Sequence, residues 1–360
     1  MAIIIPCAGK SSRFPGTRPK FLLTMPNGDV MFEAAARDHF KFDSIHYAFL
    51  KEHVKKYKLK NVLERSDIGK DSDTSLYIFD EVTSGPAESA YRILKSGVSN
   101  GVINADEPIL IKDCDSFAKT DLVNGKNMGG NYVVIADLKK HNYINNIAAK
   151  SFATINENNM VTNIAEKNVI SNYICAGMYG FKSAKEYIFA FEELKRTEFM
   201  DEIYISHIIK HLLDREPFKA VQANNFIDCG TYDDFINHTK SLATYFVDLD
   251  GTLWYNQSKL FNNHYGKAPI PIQEAVNYFL KKQQLGCRII FTTSRPESVR
   301  SHTENILFEV LGFNKTIVIM GLPHTPRVIV NDSSRTNPGP TAIAMNPLRD
   351  STEYWNGIIS

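Results

Sequence analysis

Short apolar or β-branched runs recur along the chain at Ile3–Ile5, Tyr77–Phe79, Ile109–Ile111, Tyr132–Ile135 and Tyr173–Phe181, most of them bounded by Gly, Pro, Asn or Asp. Runs of this length and setting predict strands. Between them Val30–Phe40, Ala87–Leu94, Ala184–Leu194 and Glu202–Leu213 place apolar residues three and four apart, which predicts helices with one buried face. Strand and helix in alternation imply a mostly parallel sheet covered by helices. The pattern restarts at Tyr245–Val247 and runs through Ile272–Lys282, Cys287–Phe291, Val299–Leu311, Thr316–Ile319 and Val328–Val330. We therefore expect two α/β domains, residues 1–241 and 242–360, divided after the helical segment Tyr232–Lys240. The tail from Asn337, with Pro338, Pro340 and Pro347, carries no clear period.

A chain of 360 residues suits two cores better than one. Its 41 Lys and Arg against 40 Asp and Glu leave a formal charge of +1, so no global field draws a polyanion. Nucleic acid is not an expected partner. No apolar stretch approaches the roughly 18 residues that a membrane-spanning helix needs. The first apolar run meets Gly9, Lys10 and Arg13 at once, unlike a secretion signal. The five cysteines are scattered, without a close pair, which favours a reducing cytoplasm over a disulfide framework or structural zinc. His207 and His211 share a helical spacing but lack a third partner, so they read as structural.

The first strand feeds Pro6-Cys7-Ala8-Gly9-Lys10-Ser11-Ser12-Arg13-Phe14, and Pro19-Lys20 follows. A small-residue turn rich in hydroxyls and cations suits phosphate, because backbone N–H groups can approach its oxygens while Arg13 and Lys20 add charge. It is not a P-loop, since Ile4 stands where the first Gly is required. It is not a dinucleotide fingerprint, since Gly9 stands alone.

Downstream come Thr83-Ser84-Gly85-Pro86, then Ile109-Leu110-Ile111-Lys112-Asp113-Cys114-Asp115, then Glu166-Lys167, Cys175-Ala176-Gly177, and Phe226-Ile227-Asp228-Cys229-Gly230-Thr231. In this order, over roughly residues 2–240, the series resembles the sugar-phosphate nucleotidyltransferases, especially those of bacterial capsule and other surface polysaccharides. The resemblance implies that Ala8, Gly9, Lys10, Ser11 and Ser12 hold a nucleoside triphosphate, with Arg13 and Lys20 stabilising charge at its α-phosphorus. Gly85 would lie against the base or ribose. Asp115 and Asp228 would share Mg²⁺, Lys167 would grip the phosphate of the second substrate, and Glu166 and Gly177 would lie near its organic part. In-line displacement at phosphorus needs positioned charge rather than a protein nucleophile. The turn departs from the family in having Cys7, Ala8 and Lys10 where further glycines are common, which leaves the base open.

A second constellation follows Tyr245-Phe246-Val247, namely Asp248-Leu249-Asp250-Gly251-Thr252. On an extended strand the i, i+2 spacing puts both carboxylates on one side. The motif resembles the first motif of the haloacid-dehalogenase superfamily of phosphatases. That resemblance implies that Asp248 attacks phosphorus, that Asp250 acts as acid and base, and that both lie at a Mg²⁺ site completed by Asp332 of Val328-Ile329-Val330-Asn331-Asp332. Thr293 of Arg288–Arg295 would bind a phosphoryl oxygen. The usual Lys of the third motif is missing, and Arg327 is the expected substitute. The interval from Thr252 to Ile272 is too short for a cap domain.

Together the resemblances imply two Rossmann-like three-layer α/β domains, a larger nucleotidyltransferase with a mixed, mostly parallel sheet and a smaller phosphatase-like one. The expected protein is a Mg²⁺-dependent bifunctional enzyme. It would join a nucleoside triphosphate to a small phosphorylated sugar or polyol and hydrolyse a phosphate monoester of the same pathway. Two alternatives stand beside it: a nucleotidyltransferase with a structural second half, and a nucleotide-sugar sensor without turnover. A second copy of the chain is the one macromolecular partner left open.

Overall fold

The computed structural model describes residues 1–37, 44–66, 68, 70, 73–120, 130–141, 146–197, 201–260, 264–332 and 341–359. The last three residues of the helix expected over Val30–Phe40, and residues 337–340 of the tail, lie outside them. Backbone contacts divide the chain into two compact units, Met1–Phe235 and Ile236–Ser360. No helix among the described residues is long and apolar enough to cross a membrane.

In the N-terminal unit the strands are β1 (Ala2–Pro6), β2 (Ser44–Leu50), β3 (Asp73–Phe79), β4 (Ile109–Lys112), β5 (Ser116–Lys119), β6 (Tyr132–Asp137), β7 (Ser151–Ile155), β8 (Val161–Glu166), β9 (Tyr173–Phe181), β10 (Lys219–Gln222) and β11 (Asn225–Asp228). Seven follow one another in the order β10-β6-β9-β4-β1-β2-β3, with β7 and β8 attached beside β9, and β11 pairs separately with β5. The pairs β1–β2, β1–β4, β2–β3 and β6–β10 are parallel, and β9 runs antiparallel to β4 and β6. The sheet is thus mixed and mostly parallel.

Both faces of this sheet are covered. Along β1 the side chains alternate, Ile4 joining one core and Ile3 and Ile5 the other, so an uninterrupted apolar run is what a doubly buried strand requires. The helices Pro86–Ser99, Ala184–Thr197 and Ile205–Leu212 pack on the Ile4 face, and Met31–Arg37, Lys51–Tyr57 and Leu59–Arg65 on the other. Pro86 starts its helix at a position where the missing N–H costs nothing. Strand β2 was not foreseen, because Ser44 and His46 interrupt its apolar run although all seven of its residues are buried.

The C-terminal unit contains β12 (Thr244–Asp248), β13 (Arg288–Thr292) and β14 (Val318–Ile319) in one parallel sheet, in that order. The helix Gln273–Gln284 packs on one face, with Tyr278 and Phe279 against Trp355 at ring separations of 5.5 and 5.2 Å. On the other face Phe246 is 52 % exposed, so the expected three layers are not complete there among the described residues. Val328–Val330 is not a strand. All three residues are exposed and pair with no strand among the described residues, and a β-branched run forms a strand only where a neighbouring strand and a covered face receive it.

His46 on β2 is fully buried, with Nε2 2.8 Å from the Ser44 hydroxyl and Nδ1 3.4 Å from that of Tyr77. Burial pushes its pKa from 6.5 down to about 4, against a smaller opposing pull from Asp73. The folded ring stays neutral where the unfolded one takes a proton, so its contribution is present above pH 6.5 and is lost as pH falls toward 4. Urea unfolding between pH 7 and 4.5 should show a shallower loss of stability in His46→Gln than in the parent. An identical slope would refute the assignment.

Candidate functional site

The parallel pairing of β1 with β4 sets Ile4 beside Ile111, so the turn leaving β1 emerges next to the turn leaving β4. In sheets of this kind ligands bind at the carboxyl ends of the strands. Here those ends open on a cleft of about 590 Å³ lined by Ala8–Arg13, Lys20, Thr83–Pro86, Asp113–Ser116, Lys150, Glu166, Lys167, Gly177 and Asp228. Every site residue expected in the first half lines it. The turn is fastened by the Lys20 N–H, which donates to the Ser11 hydroxyl at 3.0 Å, and by the Phe14 N–H, which donates to the Ser11 carbonyl at 2.9 Å. A Cβ on Gly9 would meet nothing within 4 Å, so its backbone is open to a ligand.

Two acids converge. Strand β11 pairs antiparallel with β5 so that Asp228 stands opposite Ser116, and the Cys229 N–H donates to the Asp115 carbonyl at 2.7 Å. A Cβ built on Gly230 would lie 3.1 Å from Asp228 Oδ1, 3.5 Å from Asp115 Oδ2 and 3.7 Å from Arg13 Nη1. Two carboxylate oxygens and a guanidinium thus surround one point. Hard Mg²⁺ takes one or two carboxylates and completes its shell with water and phosphate oxygens, so Asp115 and Asp228 fit it.

The charges of this cluster are paired. Lys20 bonds Asp115 and Lys150 bonds Asp228, with all four side chains at most 19 % exposed. Burial pushes the Asp115 carboxyl up, but Lys20, with Arg13 and Lys150 behind it, holds it well below the usual carboxylate range. Burial also lowers Lys20, and Asp115 more than reverses that. Asp228 is raised, by burial first and then by Asp115, with Lys150 opposing. Asp113 is raised to about 6 by burial and by Asp115. Lys112, fully buried, donates to the Asp113 carbonyl at 2.6 Å and to the Ser116 hydroxyl at 3.2 Å, stapling the turn that carries Asp115.

Lys150 and Lys112 were not singled out in the sequence. Lys150 follows a single helical turn, Ile147–Ala149, and nothing local marks it. Glu166 accepts from the hydroxyls of Ser151 and, at 2.6 Å, Ser206. Lys167 has φ +51°, and its ammonium lies 4.4 Å over the Tyr204 ring and donates to the Tyr204 hydroxyl, which itself donates to Glu202. Gly85 has a structural duty besides lining the cleft, since a Cβ there would come within 2.7 Å of the Ile203 carbonyl.

In the C-terminal unit Asp248, Asp250, Thr293 and Arg327 act on one another, whereas Asp332 does not join the two acids in a metal-holding group among the described residues. Asp250 is clasped by Arg295, whose Nε and Nη2 donate at 2.8 and 2.7 Å, and Trp254 Nε1 donates at 2.9 Å. The Thr293 hydroxyl lies 3.4 Å from the same carboxylate and accepts the Arg295 N–H at 3.1 Å. Asp248 is raised by burial and by Asp250, with Arg327 and then Arg349 opposing. The charge of Arg327 thus acts on Asp248 while its guanidinium donates to the Pro323 and Thr325 carbonyls, and Arg349, beside Gly251, is a second cation that no motif marked. Asp332 is exposed after the irregular 328–330 segment. Among the described residues no group of three or more His, Cys, Asp or Glu could hold a metal, so Asp248, Asp250 and Asp332 do not form the expected three-acid site.

No family model and no curated protein matches the chain. Solved structures do. A nucleoside-diphosphate-sugar pyrophosphorylase from Vibrio cholerae RC9 is 21 % identical with a TM-score of 0.55, the match covering 66 % of this chain and 99 % of that one. A candidate glucose-1-phosphate thymidylyltransferase from Bacillus anthracis, solved with sucrose, is 18 % identical with a TM-score of 0.53, covering 67 % and 94 %. Over that share the chain has their fold.

Gly177 has φ +70°, and a Cβ there would come within 2.1 Å of the Ser116 hydroxyl and 2.8 Å of Asp113. Gly177→Ala should lower unfolding free energy by roughly 1–3 kcal/mol, the range of overpacking and left-handed strain. Gly9→Ala should leave it within about 0.5 kcal/mol, as expected of an open surface position. Urea titration checks both.

Proposed function

We propose that the N-terminal unit is a nucleotidyltransferase that joins a nucleoside triphosphate to a small phosphorylated sugar or polyol and releases pyrophosphate. The observation that carries the reading is the convergence of Asp115, Asp228 and Arg13 on one point beside the Ala8–Arg13 turn and Lys20. The fold shared with two proteins described as acting in sugar-nucleotide synthesis supports it. A role in capsule or surface polysaccharide belongs to the same proposal and rests on the motif order alone.

In this reading the backbone of the turn cradles the triphosphate, and an oxygen of the acceptor phosphate attacks the α-phosphorus in line. Arg13 and Lys20 offset the charge that both anions bring together, and no side chain forms a covalent bond. Held by Asp115 and Asp228, Mg²⁺ would supply further neutralisation of triphosphate oxygens. Pyrophosphate release across four nucleotides and a panel of phosphorylated sugars, polyols and amino-alcohols tests the reading. Asp115→Ala should cut the rate roughly 100- to 1000-fold, the size of effect seen when one charge-stabilising group is lost. If the parent protein binds nucleotide yet releases no pyrophosphate, the sensor reading replaces this one.

We keep a phosphomonoesterase activity of the C-terminal unit as a second reading, on the observation that Asp248 closes β12 two residues before Asp250, with the charges of Arg327 and Arg349 acting on it. The clasp of Arg295 on Asp250 makes slow turnover the expectation. Phosphate release from a sugar bisphosphate, or from the nucleotide-linked product, should disappear in Asp248→Asn. Release that survives the substitution, or its absence in the parent, would leave the second half structural.

A further inference from the structure

Lys150 is a cation of the cleft that the two motif-bearing turns do not explain. Its ammonium bonds the Asp228 carboxylate, and the two side chains are only 15 % and 9 % exposed. The same carboxylate also accepts the Gly230 N–H at 3.2 Å. Asp228 is also one of the two acids whose oxygens flank the point beside Gly230. Lys150 therefore occupies a charge position that a divalent cation would use.

The backbone ties Lys150 to the other end of the cleft. Its carbonyl accepts the Lys167 N–H at 3.0 Å, and the next residue, Ser151, donates to Glu166. The residue thus stands between the acid pair and the wall expected to receive the second substrate. Lys167, expected to grip that substrate's phosphate, instead holds its ammonium on the ring and hydroxyl of Tyr204, beside Glu202. A nearly buried ammonium is costly without an anion, so a cation arriving at Asp228 obliges Lys150 to find another.

Resting on the nucleotidyltransferase reading, we propose that Lys150 is an exchangeable cation, neutralising Asp228 through the ion pair seen here and passing to the phosphate of the acceptor once a divalent cation holds Asp228. It is a substrate-binding residue for the second substrate and a competitor of the metal. No bond is made or broken in the exchange. Binding of metal and of acceptor phosphate then favour each other, as linkage requires of two ligands that share one switching side chain.

Two measurements on Lys150→Met test this. Mn²⁺ binding to the nucleotide-free protein, followed by electron paramagnetic resonance, should tighten roughly tenfold because the competing ammonium is gone, whereas a merely structural lysine would leave it unchanged or weaker. The KM for the best acceptor of the pyrophosphate-release panel should rise roughly 10- to 100-fold, the worth of a charge-assisted hydrogen bond, with the KM for nucleotide changing less than threefold. Unchanged Mn²⁺ affinity, or equal rises in both KM values, overturns the proposal. Should Lys150→Met not fold, as judged by thermal melting, Lys150→Arg keeps the charge and should raise the acceptor KM while leaving the nucleotide KM in place; no selective effect overturns the proposal equally. If the parent protein releases no pyrophosphate, the enzymatic reading fails by itself, while the Mn²⁺ comparison still decides whether Lys150 competes for the metal position.

Discussion

Burying acids requires burying their counter-charges, and the architecture of the N-terminal cleft follows from that requirement. Asp113, Asp115 and Asp228 leave water at the ends of β4 and β11, and an unpaired ion there would cost several kcal/mol even after relaxation. Lys20 and Lys150 answer two of them directly, and Lys112 holds the connecting turn through carbonyl oxygens. The parallel register of β1 and β4 and the short β5–β11 ladder bring these groups together from parts of the chain more than a hundred residues apart. Helices on both faces keep the arrangement rigid.

A cleft balanced in this way is prepared for ligands that carry both signs of charge. A metal–nucleotide complex offers a cation to Asp115 and Asp228 and oxyanions to Arg13, Lys20 and the backbone of the turn. Under the proposed function each ion pair of the site would exchange its partner rather than lose it. Desolvated partners strengthen one another as the local dielectric falls, so under that same proposal the cost already met in folding would return as preorganised charge. Gly177 and Gly85 matter to this because a side chain at either would push apart the backbone segments that carry Asp113 and Ile203.

The α/β alternation and the location of the first site could be read from the sequence because each rests on local chemistry. An apolar run such as Ile3–Ile5 predicts its own burial, and acids at the ends of apolar runs, Asp115 and Asp228, predict a strand-end site. Lys150 could not be read. Its role depends on a pairing that only the fold creates, and the Asn-Asn-Ile-Ala-Ala-Lys segment around it resembles any exposed loop. Val328–Val330 shows the opposite failure. Its β-branched residues favour a strand, but that preference is realised only against a neighbouring strand and a covered face, and here the run is exposed. With the strand goes the position of Asp332.

Arg295 shows how a motif can keep its residues and lose part of their freedom. It is wholly buried, its guanidinium 4.7 Å from the Trp254 ring and 5.0 Å from that of Tyr265, and its Nη1 finds no acceptor among the described residues. Such a group depends on the charge of Asp250 to remain buried. The clasp takes up both oxygens of Asp250, with Trp254 Nε1 as a further donor. In the phosphomonoesterase reading proposed above, Asp250 would reach a leaving oxygen only after Arg295 lets go. Asp248 stands in a different setting, partly buried at the end of β12, where the charges of the exposed Arg327 and Arg349 act on its carboxylate and no buried clasp holds it.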